Sequence, residues 1–275
     1  MHYHKTTWRV IEHPPANGAW NMAVDEAILE SVYKGLSLPT LRLYAWDPAC
    51  LSLGHAQPFS DVDTTTLLDY GWTVVRRPTG GRAILHIDEL TYSVIAPETE
   101  PRVSGGVLES YLRLSQALLE ALKLLGLSPR ALEKPTANNA NRNNPVCFEV
   151  PSNYEITVKD KKLIGSAQAR RKEGILQHGS LPLYGDLSRI IEALKFDHQD
   201  GKERAKIRLL AHATTLEREL RQKIEWQQAC NAFKAGFSSI LNLELRSGEL
   251  TDEEKLRALI LMQEKYAHPS WTERI

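Results

Sequence analysis

The spacing of apolar residues predicts an early helix followed by several short strands. In "NGAWNMAVDEAILESVY" apolar residues recur every three or four positions, which is the helical period, and Asn17 stands where an N-cap is expected. The stretches "LRLYAW" and "CLSLGHAQ" are predicted as strands separated by Asp47-Pro48. "GWTVVRRP" and "LTYSVIAP" are also strand-like. A sheet covered by a helix is therefore expected.

The middle of the chain predicts a second helix and more strands. Residues from Val107 to Leu125 have helical spacing, and Gly126 suits the position after the helix end. "YEITV" and "KLIGSAQARR" predict a hairpin, and "GILQHGSLPLY" predicts a further strand. Strands with covering helices predict an α+β fold, with a mixed, largely antiparallel sheet.

After about residue 185 the pattern becomes helical. Thr251 and Glu254 form a capping box ahead of an apolar run. One predicted helix carries an apolar stripe made of Trp226, Cys230, Phe233, Phe237 and Ile240. We predict a first domain over residues 1–190 and a helical C-terminal region over residues 191–275, packed on or beside it.

Composition excludes several classes of protein. Of the 275 residues, 34 are Lys or Arg and 34 are Asp or Glu, so no basic or acidic surface for nucleic acid or membrane is indicated. No stretch approaches the roughly 18 apolar residues of a membrane span. The start of the chain lacks the apolar core of a signal peptide. Three widely spaced cysteines are not a disulfide framework or a metal pattern, so a cytoplasmic protein without a metal is expected.

One cysteine lies in a setting that favours chemistry. Cys147 follows an asparagine-rich loop, residues 134–145, and precedes the predicted hairpin. Lys162 starts the second half of that hairpin, and an ammonium near the thiol would favour the reactive thiolate. An isolated cysteine is more often structural, which is the interpretation for Cys50 and Cys230. We predict Cys147 and Lys162 as catalytic residues.

The stretch "RRPTGGRAILH" is the other candidate for chemistry. Its simplest interpretation is a tight turn between strands, in which two glycines supply positive φ. Alternatively, Gly80 and Gly81 let the backbone approach a ligand, while Arg76 or Arg77 holds its polar end. His86 closes the stretch, and no phosphate-loop or dinucleotide fingerprint is present.

Four stretches together resemble the lipoate–protein ligase and octanoyltransferase family. These are "NMAVDEAIL", "LRLYAWDPACLSLGHAQ", "VVRRPTGGRAILHIDELTYSV" and "KKLIGSAQARRKEGILQHGSLPL", in register over roughly residues 8–185. The resemblance implies the catalytic fold shared with biotin–protein ligases. It also implies that Lys162 is the active-site lysine and that residues 76–86 line an acyl pocket. Gly165 and Ser166, in the lysine motif, are predicted to bind substrate with them.

The cysteine divides the family. ATP-dependent ligases activate free lipoate as an adenylate, whereas a branch similar to the octanoyltransferases of Gram-positive bacteria has a cysteine in a segment like "PVCFEVPSNYEI". The resemblance therefore implies transfer of octanoyl from octanoyl-acyl carrier protein, through a Cys147 thioester, to a lysine of a lipoyl-accepting protein. The glycine-cleavage H protein and dehydrogenase lipoyl domains are the expected acceptors. Phosphopantetheine arrives on the donor, and neither ATP nor metal is expected.

Three alternatives stay open at this point. The chain could be an ATP-dependent lipoate ligase, an amidotransferase between lipoyl-carrying proteins, or a non-catalytic lipoyl-binding module. For the transferase, an apolar tunnel for eight carbons is expected beside the thiol. Its predicted lining, from the strands that flank the Gly-Gly turn, is Val74, Val75, Ile84 and Leu85.

Overall fold

The computed structural model describes residues 3–133, 154–172 and 174–275. The strands are β1 (Thr6–Glu12), β2 (Thr40–Tyr44), β3 (Cys50–Leu53), β4 (Thr73–Arg76), β5 (Ile84–His86), β6 (Glu89–Ala96), β7 (Arg130–Glu133), β8 (Tyr154–Val158), β9 (Lys161–Arg171), β10 (Gly174–Pro182) and β11 (Leu243–Ser247). The helices are α1 (Gly18–Tyr33), α2 (Thr64–Asp69), α3 (Val107–Leu124), α4 (Gln199–His212), α5 (Leu216–Leu220), α6 (Trp226–Leu241), α7 (Asp252–Leu261) and α8 (Pro269–Thr272).

Two sheets organise these elements. Eight strands form the larger sheet in the order β11-β1-β2-β6-β10-β9-β8-β7, and three form the smaller one in the order β4-β3-β5. Strand β1 pairs in parallel with β2 and β11, whereas the other pairings in the larger sheet are antiparallel. The predicted α+β class with a mixed, largely antiparallel sheet is therefore confirmed.

The two faces of the larger sheet are covered by different helices. Side chains alternate across a strand, so Leu41 and Leu43 of β2 join the core under α3 and α6. Tyr44 points to the opposite face, where the core contains residues of α1 and α7. Arg42 lies on the same face of β2 as Tyr44 and is also fully buried. A charged residue in that position requires a partner from the covering helix.

Local signals in the sequence agree with the observed helix ends. The Asn17 side chain accepts a hydrogen bond from the Trp20 amide at the start of α1. Thr251 and Glu254 form the predicted capping box of α7. Gly126 follows α3 with φ +94°, the left-handed conformation that favours glycine at a helix end.

The C-terminal region contributes a strand that the apolar pattern did not predict. Strand β11 pairs with β1, and α6 packs against α3 through Cys230, Phe233 and Phe237. Ile240, predicted on the same stripe, is 38% exposed. The C-terminal region therefore completes the edge and one covering layer of the sheet.

The β8–β9 hairpin forms where the sequence predicted it. Lys159 and Asp160 both have positive φ, +48° and +63°, as a two-residue turn of type I′ requires. The turn brings Lys162 opposite Thr157. The Thr214 amide also donates to the Lys162 carbonyl at 3.0 Å, which fixes the backbone of the predicted catalytic lysine.

Candidate active site

An apolar cavity of about 180 Å³ lies between the two sheets. Apolar cavities of about 150 Å³ can take up benzene, so this one is large enough for a short hydrocarbon chain. Met22, Tyr44, Trp46 and Ile84 provide much of its apolar lining. The other residues that line it are Ser52, Arg77, Gly81, Arg82, His86, Thr91, Lys162, Gly165, Ser166, Ala167, His178, Gly179 and Ser180.

Strands β9 and β10 form one wall and position Lys162. Its side chain is 3% exposed, and Nζ lies 3.0 Å from Oε1 of Glu155 on β8. Glu155 is itself buried, so the two charges compensate each other beside the cavity. Gly165 and Ser166, both predicted at the substrate, also line this wall.

Gly179 keeps that wall closely packed. A Cβ atom at this position would lie 2.6–2.7 Å from Tyr92, the Gly165 carbonyl and the Ser166 hydroxyl. A larger residue would therefore push β9, with Lys162, away from β10.

The turn between β4 and β5 forms the opposite wall. The Arg77 guanidinium donates to the carbonyls of Ser52, Gly80 and Arg82 at 2.7–2.9 Å. Gly81 has φ +93°. A Cβ atom on Gly54 would lie 1.9 Å from the Gly81 carbonyl oxygen, so the turn packs against the chain after β3 with no space for a side chain. Arg77 thus holds the shape of the cavity rim.

His86 is held by three contacts inside the cavity. Its Nδ1 lies 2.7 Å from Glu89 Oε1, and its Nε2 lies 2.7 Å from Ser52 Oγ. A carboxylate oxygen only accepts, so Nδ1 carries the proton and the Ser52 hydroxyl donates to Nε2. The ring also stacks on Trp46, with 3.9 Å between centroids. The predicted site residue His86 therefore has a fixed orientation and a fixed tautomer.

A buried polar network behind the cavity was not predicted from the sequence. Asp25 on α1 accepts from Arg42 at 2.7 Å and from Tyr44 and Ser93. Burial alone would raise the pKa of Asp25, but the Arg42 guanidinium and the hydrogen bonds hold it below its usual value. The only local signal for it is an acidic residue in the middle of the apolar helical stretch "NMAVDEAIL".

The network reaches the cavity through His178. Its Nδ1 lies 3.6 Å from Asp25 Oδ2, and its Nε2 lies 2.6 Å from the Thr79 hydroxyl in the Gly-Gly turn. Burial lowers the pKa of His178, although the neighbouring Asp25 acts in the opposite direction. An electrostatic contact and a hydrogen bond on the two nitrogens of His178 therefore connect α1 to the turn that forms the rim.

Arg76 does not lie where the sequence analysis expected. Its guanidinium is fully buried and donates to the carbonyls of Gly54, Gln57 and Thr272 at 2.5–2.9 Å. Successive residues of a strand face opposite ways, so Arg77 reaches the cavity and Arg76 ties the C-terminal segment to the loop after β3. We correct its predicted role from substrate binding to structural support. Gly80 also lies outside the cavity, in an adjoining cleft.

The expected apolar lining is mostly wrong. Of the four predicted residues, Ile84 lines the cavity. Val75 packs with α1, whereas Val74 and Leu85 belong to the core beneath the smaller sheet. The strand faces could not be assigned from alternation alone because both sides of β4 and β5 contain apolar residues.

Cys50 and Cys230 both lie in the core. Burial raises the pKa of Cys50 to about 12, and it also raises the pKa of Cys230. Both are buried free thiols, in agreement with their predicted structural roles. Cys147 and the thiol end of the expected tunnel lie outside the described residues.

The described part of the chain offers neither a metal site of clustered ligands nor a helix that could span a membrane. Within residues 3–133, 154–172 and 174–275, no group of three or more His, Cys, Asp or Glu side chains is arranged to hold a metal ion. No helix within these ranges has the length and apolar character needed to cross a bilayer.

Residues 17–238 match the sequence profile of one family, the lipoyl protein ligase A/B catalytic domain. The chain belongs to this family. This chain is 39% identical over 272 residues to octanoyltransferase LipM of Anoxybacillus flavithermus. The aligned region covers 97% of this chain and 98% of the relative. The chain is 40% identical over 272 residues to octanoyltransferase LipM of Brevibacillus brevis. The aligned region covers 97% of this chain and 99% of that relative. As a member of the family with such relatives, the protein is an enzyme of the acyltransferase class.

Solved structures agree with this membership. This chain superposes, with a TM-score of 0.79, on a crystal structure of ATP-bound lipoate-protein ligase A. The two share 25% of residues, over 98% of this chain and 99% of the other. A bipartite lipoate protein ligase from Thermoplasma acidophilum gives the same TM-score at 23% identity, with 98% and 96% covered, and supports the fold alone.

Proposed function

We propose that this octanoyltransferase of lipoate biosynthesis forms a thioester on Cys147 and uses Lys162 to assist both halves of the transfer. The observation that carries the proposal is the position of Lys162. Its ammonium is buried at an apolar cavity and paired with Glu155 at 3.0 Å. In the sequence, Cys147 precedes the hairpin that contains both residues.

The first half of the reaction loads the enzyme. The Cys147 thiolate attacks the carbonyl carbon of octanoyl-acyl carrier protein, and a new carbon–sulfur bond forms. The bond to the phosphopantetheine sulfur breaks, and that sulfur leaves as a thiolate that takes up a proton. The Lys162 ammonium stabilises the negative charge that develops on the carbonyl oxygen and is the source of the proton.

The second half releases the product. The neutral ε-amine of a lysine on a lipoyl-accepting protein attacks the thioester, so that a carbon–nitrogen bond forms and the bond to Cys147 breaks. The proton lost by the amine returns, through Lys162, to the departing cysteine. Thioester is converted to amide, and the exchange requires no ATP. The glycine-cleavage H protein and dehydrogenase lipoyl domains are the proposed acceptors.

The cavity would supply selectivity for the acyl chain. Each buried methylene group contributes about 0.8 kcal/mol, so an octanoyl chain gains roughly 3 kcal/mol over a butanoyl chain. The apolar side chains that would contact it are Met22, Trp46 and Ile84. His86 and Ser52 already satisfy each other, so they leave the cavity suited to hydrocarbon.

Intact-mass measurement tests the proposal. After incubation with octanoyl-acyl carrier protein and without ATP, the wild-type protein should gain one octanoyl group, located on Cys147 by peptide mapping. Cys147→Ala should gain none. The fold of the ATP-bound ligase favours a second candidate, an ATP-dependent lipoate ligase. Absence of an adduct, together with transfer of free lipoate in the presence of ATP, would move the assignment to that ligase.

A further inference from the structure

A second cleft adjoins the acyl cavity at the turn between β4 and β5. Gly81 and Arg82 line both spaces, and the cleft measures about 750 Å³. We call this second space the arginine cleft. The loop after β3 forms one of its sides, and the end of β9 forms the other. Its remaining lining is His55, Ala56, Gln57, Pro58, Asp61, Pro78, Gly80, Gln168, Ala169, Arg170 and Arg171. The cavity and the cleft are therefore neighbours on either side of Gly81 and Arg82.

The arginine cleft carries a net positive charge. Arg82, Arg170 and Arg171 line it, whereas Asp61 is its one acidic residue among the described residues. Asp61 accepts a hydrogen bond from Gln57 Nε2 at 3.1 Å, within the same loop. Burial, followed by the charges of Arg274 and Arg171, lowers the pKa of His55.

Among the described residues, Arg171 shares its acidic partner with another cation. Its guanidinium lies 3.7 Å from Glu26, at the edge of ion-pair distance. The same carboxylate is bound more tightly by Lys265, at 2.6 Å, and by the Tyr266 hydroxyl. One negative charge is thus shared by two cations, and 31% of the Arg171 side chain is exposed. Arg170 lies 3.6 Å from Glu98 and donates to the carbonyls of Val103 and Gly106, so it forms part of the wall.

We propose that the arginine cleft binds the phosphodiester of the pantetheine arm that delivers the octanoyl thioester, with Arg82 and Arg171 as its contacts. This inference rests on the proposed function, since it places the acyl chain in the cavity and the arm across the shared turn. A guanidinium presents paired donors that match phosphate oxygens. A Cβ atom on Gly80 would meet no atom of the described residues within 4 Å, so these residues leave space for the arm on this side of the turn.

Two donors that differ by the phosphate alone test the inference. Octanoyl-phosphopantetheine and octanoyl-pantetheine carry the same thioester and the same arm. We expect the wild-type kcat/KM to be about ten- to a hundredfold higher for the phosphorylated donor, the loss typical of a hydrogen bond to a charged group. Arg171→Gln should reduce that value towards the level of octanoyl-pantetheine, because Arg82 remains, and should leave the rate with octanoyl-pantetheine unchanged. Arg246→Gln, at an exposed arginine of β11 that pairs with Glu244, is the matched control.

Three results overturn the inference. The first is equal kcat/KM for the two donors in the wild-type protein. The second is an Arg171→Gln variant that slows both donors equally. The third is dependence on Arg171 with octanoyl-acyl carrier protein but not with octanoyl-phosphopantetheine, which would assign the cleft to the acidic surface of the carrier.

The proposed function can fail separately. A wild-type protein that uses none of these thioesters without ATP contradicts the acyl-transfer mechanism. Calorimetric titration with phosphopantetheine and with pantetheine then tests phosphate binding by the cleft independently of catalysis. Tighter binding of the phosphorylated compound, lost in Arg171→Gln, supports the inference, and equal binding overturns it.

Discussion

Two buried ion pairs lie near the apolar cavity, and their surroundings differ. Asp25 and Arg42 are 2.7 Å apart and wholly inaccessible to solvent, and neither residue lines the cavity. Tyr44 and Ser93 donate to Asp25, and Asn21 accepts from Arg42. Lys162 and Glu155 are also buried, 3.0 Å apart, but Lys162 lines the cavity.

Burial and distance are therefore poor guides to function in this protein. Both pairs satisfy the same electrostatic requirement, that a buried charge have a partner. The pair enclosed by further hydrogen bonds serves the fold, and the pair that faces an apolar space can serve a reaction. The predictions below separate these two roles.

The largest expected effect is on turnover at the pair that faces the cavity. Lys162→Arg keeps the charge opposite Glu155 but replaces a compact ammonium with a planar fork. We expect the rate of octanoyl transfer to fall by roughly 10²–10⁴, the usual contribution of a positioned acid or base, while the thermal unfolding midpoint changes little. Lys161→Arg is the control, because Lys161 Nζ binds the Leu210 carbonyl. Normal turnover in Lys162→Arg would remove the proposed role of this lysine.

The enclosed pair should affect stability instead. Arg42→Met leaves the Asp25 carboxylate buried without its main partner, so the free energy of unfolding should fall by about 3–5 kcal/mol in urea denaturation. The control is Arg257→Met, at a partly exposed pair with Glu30, where the loss should be about 0.2–1 kcal/mol. Similar losses in the two variants would show that enclosure does not distinguish the Asp25–Arg42 pair.

The enclosed network should also make stability depend on pH. His13 joins the network at its edge, since its Nδ1 accepts from Arg42 Nε at 2.8 Å. Burial, and then the charge of Arg42, lower the pKa of His13 from 6.5 to about 4. The unfolded chain therefore binds the proton first as pH falls, so stability is complete above about pH 6.5 and is lost progressively towards pH 4. His13→Gln should reduce this loss in denaturation curves measured between pH 7 and 4. An unchanged pH dependence would contradict the expected contribution of His13.

The smallest effect is expected at Cys50. With a pKa raised to about 12, its thiol stays protonated at neutral pH and cannot act as the nucleophile. Cys50→Ala should keep the octanoyl adduct and the transfer rate, with a stability loss of about 1 kcal/mol from the smaller core side chain. Loss of the adduct in this variant, with the fold intact, would transfer the proposed nucleophile from Cys147 to Cys50.

Local features of this protein could be predicted from its sequence, since they depend on neighbouring residues. The N-cap at Asn17 and the capping box at Thr251 are examples, as is the hairpin turn at Lys159 and Asp160. The position of Lys162 at the cavity followed from that hairpin together with the family resemblance.

Features that depend on distant residues could not be predicted in this way. Asp25 meets Ser93 and His178 through three different elements, and no short pattern contains them. Arg76 and Arg77 are adjacent and chemically identical, and the packing of the C-terminal segment decides which of them faces the cavity. Strand β11 was missed because its short sequence lies between helices and gains its pairing from β1.

The pairing of β11 with β1 has a consequence for synthesis on the ribosome. Strand β1 is made first, and β2 can cover one of its edges soon afterwards. The other edge keeps its backbone groups unpaired until β11 emerges, after nearly all of the remaining chain has been translated. Unpaired strand edges are sites of misassembly in nascent proteins. The interval before β11 is released is therefore when this edge of the sheet is open to misassembly.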